Sequence, residues 1–105
     1  MKILFDQGTP APLRRFLSNH SVQTAYEKGW STLQNGDLIQ AAENDGFEVF
    51  VTTDRNLKYQ QNFTGRKIAI VVLTSTSWPR IQVKAPEISS LVDSVNSESY
   101  IEVVI

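Results

Sequence analysis

Three aspartates stand where an apolar segment ends or where a helix begins. Asp6 follows Ile3-Leu4-Phe5, Asp54 follows Phe50-Val51-Thr52-Thr53, and Asp37 comes two residues after Asn35. If the two apolar segments are neighbouring strands of a parallel sheet, Asp6 and Asp54 meet at one sheet edge. Two carboxylates so placed repel each other unless a proton or a cation intervenes. A divalent ion resolves the conflict. Magnesium takes oxygen ligands, keeps several waters, and is often held by one or two carboxylates beside a phosphate. Such an ion lowers the pKa of a bound water and neutralises charge on a phosphoryl oxygen. Asp37 offers a third carboxylate from a helix start. Each aspartate also has a plainer use: Asp6 suits a cap on the next turn, Asp54 an Asx-turn into Asn56, and Asp37 a helix dipole. Glu43 and Asp45 read as helix-surface charges.

A second group lies just beyond Asp54. Arg55, Asn56, Lys58, Tyr59, Gln60, Gln61 and Asn62 mix cationic, amide and aromatic side chains. That mixture can contact phosphates and stack a base, with Arg66 extending it. The same stretch also reads as an amphipathic surface helix with Leu57, Tyr59 and Phe63 partly packed. Trp30 and Trp78 fit core or lid packing better than base platforms. Other chemistries find no support. The single histidine, His20, sits in Ser18-Asn19-His20-Ser21 and reads as a solvated turn, so a Ser-His-Asp triad would hang on a loop residue. Neither a phosphate-binding G-x-x-x-x-G-K-[ST] loop nor a G-x-G-x-x-G dinucleotide signature occurs.

The elements that must position these residues alternate between strand and helix. Lys2–Phe5 reads as a buried first strand, and Thr9-Pro10 as the start of a helix to about Leu17 with Leu13, Phe16 and Leu17 inward. Ser21–Ala25 is a weaker second strand. Asn35 caps a helix over Gly36–Asp45, with Leu38, Ile39, Ala41 and Ala42 on or near its buried side and Gly46 at its C′ position. Glu48–Thr52 forms a third strand and Leu57–Phe63 a short helix. Lys67–Leu73, apolar on both faces, suits a central strand. Pro86–Val95 reads as a helix and Tyr100–Ile105 as a terminal strand with Glu102 outward. The alternation predicts an α/β fold with a mostly parallel sheet of four to five strands and helices on both faces. Ligands in such sheets bind beyond the carboxyl ends of the strands, where the strand order reverses.

Composition sets outer bounds. The 105 residues make one domain, 1–105, with 41% hydrophobic and 20% charged residues, and no cysteine. A disulfide framework and a cysteine–zinc site are thereby excluded. The longest apolar run, Ile68–Leu73, falls far short of the ~20 residues that cross a bilayer. Met1-Lys2 leads directly into a short apolar segment and Asp6, without the apolar stretch of a signal peptide. These features predict a soluble cytoplasmic protein with no membrane partner. Net charge is −1, yet six bases and no acid lie between Arg55 and Lys84, and four acids and no base between Ala85 and Ile105. The basic stretch suits an anionic partner if its residues share a surface.

Taken in order, Leu4-Phe5-Asp6, Gly29-Trp30, Asn35-Gly36-Asp37-Leu38 and Phe50-Val51-Thr52-Thr53-Asp54-Arg55-Asn56-Leu57 form a pattern. It continues through Tyr59-Gln60-Gln61-Asn62 and Gly65-Arg66-Lys67-Ile68. This pattern resembles the small PIN-like domains of bacteria, over roughly residues 1–75. The resemblance implies a Rossmann-like three-layer fold. It also implies a magnesium- or manganese-dependent nuclease that cuts single-stranded RNA, in the manner of the toxin of a toxin–antitoxin pair, with an antitoxin protein as partner. Carried over, Asp6 is the first-strand carboxylate, Asp37 the helix carboxylate and Asp54 the carboxylate after the third strand. Arg55, Asn56, Lys58, Tyr59 and Arg66 would meet the nucleic acid. Relatives often read Asp-Glu-Asn where this chain has Asp6-Gln7-Gly8, and many carry an acid where it has Asn56. Fewer negative charges weaken a metal site. The alternatives are a PIN-like module that binds nucleic acid or protein without catalysis, and an interaction domain that pairs through Tyr100–Ile105. A homo-oligomer is compatible with the chain.

Overall fold

The computed structural model describes residues 1–57, 66–97 and 99–105, with the side chain of Asn35 outside that description. Five strands are present among them: β1 (Lys2–Phe5), β2 (Ser21–Thr24), β3 (Val49–Thr52), β4 (Ala69–Leu73) and β5 (Tyr100–Val103). A 3-10 helix (Ala11–Leu17) joins β1 to β2, α1 (Asn35–Asn44) joins β2 to β3, and α2 (Trp78–Ser94) joins β4 to β5. The strands form one sheet in the order β2-β1-β3-β4-β5, every pair parallel. The fold is α/β, in a Rossmann-like three-layer arrangement.

Alternation along the strands divides the core into two layers. Ile3, Phe5, Val49, Val51, Val71 and Leu73 face the 3-10 helix and α2, where they meet Leu13, Leu17, Ile81, Ala85, Ile88 and Val92. Leu4, Phe50, Ile70 and Val72 face α1 and meet Leu38, Ile39 and Ala42. All five residues of β4 are buried, as its unbroken apolar run requires for an interior strand covered on both sides. The strand order turns around between β1 and β3. After β2 pairs on one side of β1, the chain returns through α1 and places β3 on the other. This is the topological switch point.

Several local expectations are corrected. Thr9 does not cap the following helix: Pro10 is the N-cap, without a side-chain bond, and the helix is of 3-10 type. The Thr9 hydroxyl is engaged elsewhere, as described below. Phe16 is 37% exposed rather than inward, and its ring lies 6.1 Å from that of Trp78. Gln34 rather than Asn35 is the N-cap of α1. Gly46 takes φ 82° after its end, the left-handed conformation that favours glycine. The helix expected over Pro86–Val95 runs from Trp78 to Ser94, with Pro86 inside it. Proline in a helix interior costs about 3 kcal/mol. The buried stripe Ile81, Ala85, Ile88 and Val92 outweighs that cost by packing on the sheet. The expected helix Leu57–Phe63 lies outside the described residues beyond Leu57.

His20 is not in a solvated turn. Its side chain is 8% exposed. The Met1 nitrogen donates to Nδ1 at 3.0 Å, which leaves Nε2–H to donate to Asp93 Oδ1 at 2.6 Å. The ring ties the start of β1 to the last turn of α2. Both tryptophans are packing residues. Trp30 meets the Phe47 ring edge-on at 6.0 Å, and Trp78 packs against the α2-side core. Among the described residues, no helix is long and apolar enough to cross a membrane.

Candidate active site at the switch point

Because β1 and β3 are parallel neighbours, the residues that follow them emerge at the same sheet edge. Phe5 pairs in register with Val51, and the Asp6 N–H continues the ladder by donating to Val51 O at 3.1 Å. Asp6 therefore stands beside Thr52, and Asp54 follows two residues later. The parallel ladder thus brings Asp6 and Asp54 to one edge, as the strand-end spacing predicts.

The contacts of the Asp6 carboxylate come from both strand ends. Oδ1 accepts from the Thr9 N–H at 3.0 Å and from the Thr9 hydroxyl at 2.7 Å. Oδ2 accepts from the Thr52 hydroxyl at 2.5 Å. The Thr52 oxygen in turn accepts the Asp54 N–H at 3.1 Å, so one hydroxyl connects Asp6 to the backbone of Asp54. Thr52 and Thr9 are the two buried polar residues of the described core, 0% and 5% exposed. Their burial is tolerated because their hydroxyls are bonded. Local sequence assigns Thr9 to a helix start and gives Thr52 no site role. The available signal was a threonine in the last position of an otherwise apolar strand.

Two opposed influences act on the Asp6 proton. Burial pushes its carboxyl above the ordinary 3.8, and the hydrogen bonds from Thr52, Thr9 and Gly8 pull it down; burial prevails. Asp54 Oδ1 accepts the Asn56 N–H at 3.0 Å, the Asx-turn that the sequence permits. Gly8 has a steric role here: a Cβ at this position would come within 2.5 Å of Thr53 Oγ1, so the loop after β1 lies close against the end of β3. The Gln7 amide donates to Ser31 O and ties this loop to the segment before α1.

The other expected site residues scatter. Asp37 is exposed in the first turn of α1. Its neighbour Leu38 lines a small cleft of about 180 Å³ together with Asp6, Gln7 and Trp30, so that turn of α1 stands over the same sheet edge. Among the described residues, no group of three or more acidic or histidine side chains is arranged to hold a metal ion. The donor set that remains is a pair of carboxylates at adjacent strand ends. It fits an ion that keeps most of its water, as magnesium does. Such an ion would compete with the Thr9 and Thr52 hydroxyls for Asp6.

Arg55 stays at this edge, 64% exposed, with Nε 4.0 Å from Glu102 Oε1 of β5. Asn56 is exposed beside it. Arg66 does not join them. It precedes β4, at the opposite end of the sheet, where it bonds Glu43 Oε1 at 2.5 Å and Gln40 Oε1 at 3.3 Å. The reason is topological: in a parallel sheet, the residues before one strand and after another lie at opposite edges. Lys58 and Tyr59 lie outside the described residues. The basic run is also dispersed further along. Lys84 pairs with Glu87 at 3.7 Å on α2, and Arg80 donates to Ile105 O at 3.2 Å.

A wider cleft, about 810 Å³, opens beside Asp6 toward β2, bounded by the loop after β1, the 3-10 helix and the turn after β2. At that turn Thr24 and Glu27 cap each other: the Thr24 N–H donates to Glu27 Oε1 at 2.9 Å and the Glu27 N–H to Thr24 Oγ1 at 3.1 Å. Arg14 Nη1 holds both Glu27 oxygens, at 3.1 and 3.2 Å. These bonds, that from the Thr24 backbone first, keep the Glu27 carboxyl below its ordinary range. Set against known proteins, the chain matches no family model, no curated protein and no solved structure.

Proposed function

We propose that this protein is a metal-dependent ribonuclease whose centre is the strand-end pair Asp6 and Asp54. The observation that carries the reading is their emergence from neighbouring parallel strands at the switch point, joined through the Thr52 hydroxyl. The resemblance of residues 1–75 to PIN-like domains points the same way. Magnesium or manganese, when bound, would supply charge neutralisation at a phosphate and an acidified water. Asp6 and Asp54 would hold the ion; Asp37, exposed on the first turn of α1, is not grouped with them. Thr9 and Thr52 orient the Asp6 carboxylate. Arg55, exposed on the same edge, would contact the RNA backbone. Action as a toxin held in check by an antitoxin belongs to the same proposal.

A second reading is favoured by one observation. Both Asp6 oxygens already accept hydrogen bonds from the protein, and burial favours its protonated form. A domain of this fold that binds RNA or a protein without cutting would show the same feature.

The test is cleavage of labelled single-stranded RNA by purified protein, with manganese or with chelator. Manganese-dependent cleavage that disappears in both Asp6→Asn and Asp54→Asn supports the ribonuclease. Absence of cleavage, with no ion bound at millimolar manganese, selects the non-catalytic module.

A further inference from the structure

We infer that the 810 Å³ cleft beside Asp6 is a subsite for one nucleobase of a single strand, with Tyr26 as its stacking platform. The inference rests on the ribonuclease reading for its choice of ligand and on the cleft itself for its geometry. The volume falls within the range that encloses small ligands. Tyr26 lines the cleft yet is 79% exposed, so most of its ring lies open to a flat partner. It is among the most exposed large hydrophobic residues of the described chain.

Charge decides which part of a nucleotide enters. The carboxylates of Asp6 and Glu27 both line the cleft, and a single cation, Arg14, stands with them, already bonded to Glu27. A phosphate inside would meet two carboxyl groups and no lining cation that is not already paired. The neutral base is the part that fits, with the phosphates left at the rim. Besides the carboxylates of Asp6 and Glu27 and four hydroxyls, the cleft is lined by the Gln7 amide and the Arg14 guanidinium, which already donate to Ser31 O and Glu27. Oxygen acceptors favour bases that present an exocyclic amine, so cytosine should bind better than uracil. Asp6 belongs to the cleft and to the strand-end pair alike, so a base seated on Tyr26 would lie beside the phosphate to be cut.

The test is binding of fluorescein-labelled hexacytidylate and hexauridylate RNA to the full chain in EDTA, read by anisotropy. Stacking on an aromatic side chain is worth roughly 5- to 150-fold in affinity per base. Tyr26→Ala should therefore weaken hexacytidylate binding at least about fivefold, while Tyr26→Phe stays within about twofold and hexacytidylate outbinds hexauridylate. Equal binding by wild type and Tyr26→Ala, or no binding to either RNA, overturns the subsite. So does Tyr26-dependent binding of an arginine-rich peptide without binding of RNA, which would give the cleft to a protein side chain. The two proposals fail separately. Tyr26-dependent binding without manganese-dependent cleavage removes the ribonuclease and keeps the subsite. Cleavage with binding indifferent to Tyr26 does the reverse.

Discussion

The Thr52 hydroxyl lies 2.5 Å from Asp6 Oδ2 and joins the ends of β1 and β3. It has one hydrogen to donate, which goes to Asp6, and its oxygen takes the Asp54 N–H. A single buried rotor thus fixes the direction of one carboxylate and the backbone course that presents the other.

Thr52→Val keeps the shape and removes both bonds. The loss of the bonds to Asp6 Oδ2 and from the Asp54 N–H costs about 1–3 kcal/mol. Thr52→Ser keeps the hydroxyl and loses one methyl group, about 1 kcal/mol. Chemical denaturation should rank wild type, Ser and Val in that order of stability. Manganese-dependent cleavage should survive in the Ser variant and fall in the Val variant. A Val variant as stable as wild type would show that the hydroxyl bridge contributes nothing.

Asp6 sets a pH dependence of definite sign. Its folded pKa is raised above the ordinary 3.8 by burial, so between the two values the native state holds more protons than the unfolded chain. The contribution of this group is complete below the unfolded pKa and is lost as pH rises through the folded one. Without metal, Asp6→Asn should be as stable as wild type or more so at neutral pH, and its advantage should shrink as the pH is lowered through the Asp6 titration. Thermal melts in chelator across pH 3–7 check this. A variant clearly less stable than wild type at pH 7 would mean that the lost hydrogen bonds outweigh the buried charge.

Gly8→Ala tests the close approach of the two strand-end loops. The added Cβ would fall 2.5 Å from Thr53 Oγ1, so either the loop or that side chain must shift. Overpacking of this kind costs about 1–3 kcal/mol. In a Thr53→Ala background the obstructing oxygen is gone, and the same change should cost at least about 0.5 kcal/mol less. Equal costs in both backgrounds would place the strain elsewhere.

Arg66→Gln separates structural from RNA-binding cations. Arg66 and Glu43 are 20% and 18% exposed and 2.5 Å apart, between the regimes of exposed and buried pairs. Loss of the pair should cost about 1–3 kcal/mol of stability. RNA affinity should keep its salt dependence, whereas deletion of a true phosphate contact lowers the slope of log affinity on log salt by about 0.7. A slope reduced by that amount in Arg66→Gln would return this residue to the RNA interface.

Alternating strand and helix signals in the chain specify the class of fold, and they put Asp6 and Asp54 at one edge once β1 and β3 are neighbours. Short apolar runs bounded by turns specify strands, and strands that alternate with helices leave few arrangements other than a parallel sheet. In a parallel sheet, residues that follow neighbouring strands share one edge whatever the details of packing. The tertiary structure decided which partner each polar group takes. Thr9 has the local signature of a helix cap, yet its hydroxyl bonds Asp6 and lies 3.0 Å from Val51 O, because the loop folds back onto β3. Arg55 and Arg66 are close in sequence, but the residues that precede β4 lie at the opposite edge from those that follow β3. Pro86 reads as a helix boundary, and the helix passes through it because a stripe buried on the sheet outweighs one lost hydrogen bond. Local periodicity fixes elements because it depends on near neighbours. Side-chain partners depend on contacts between distant segments, such as the 46-residue separation of Asp6 and Thr52, and these exist only once the sheet has formed.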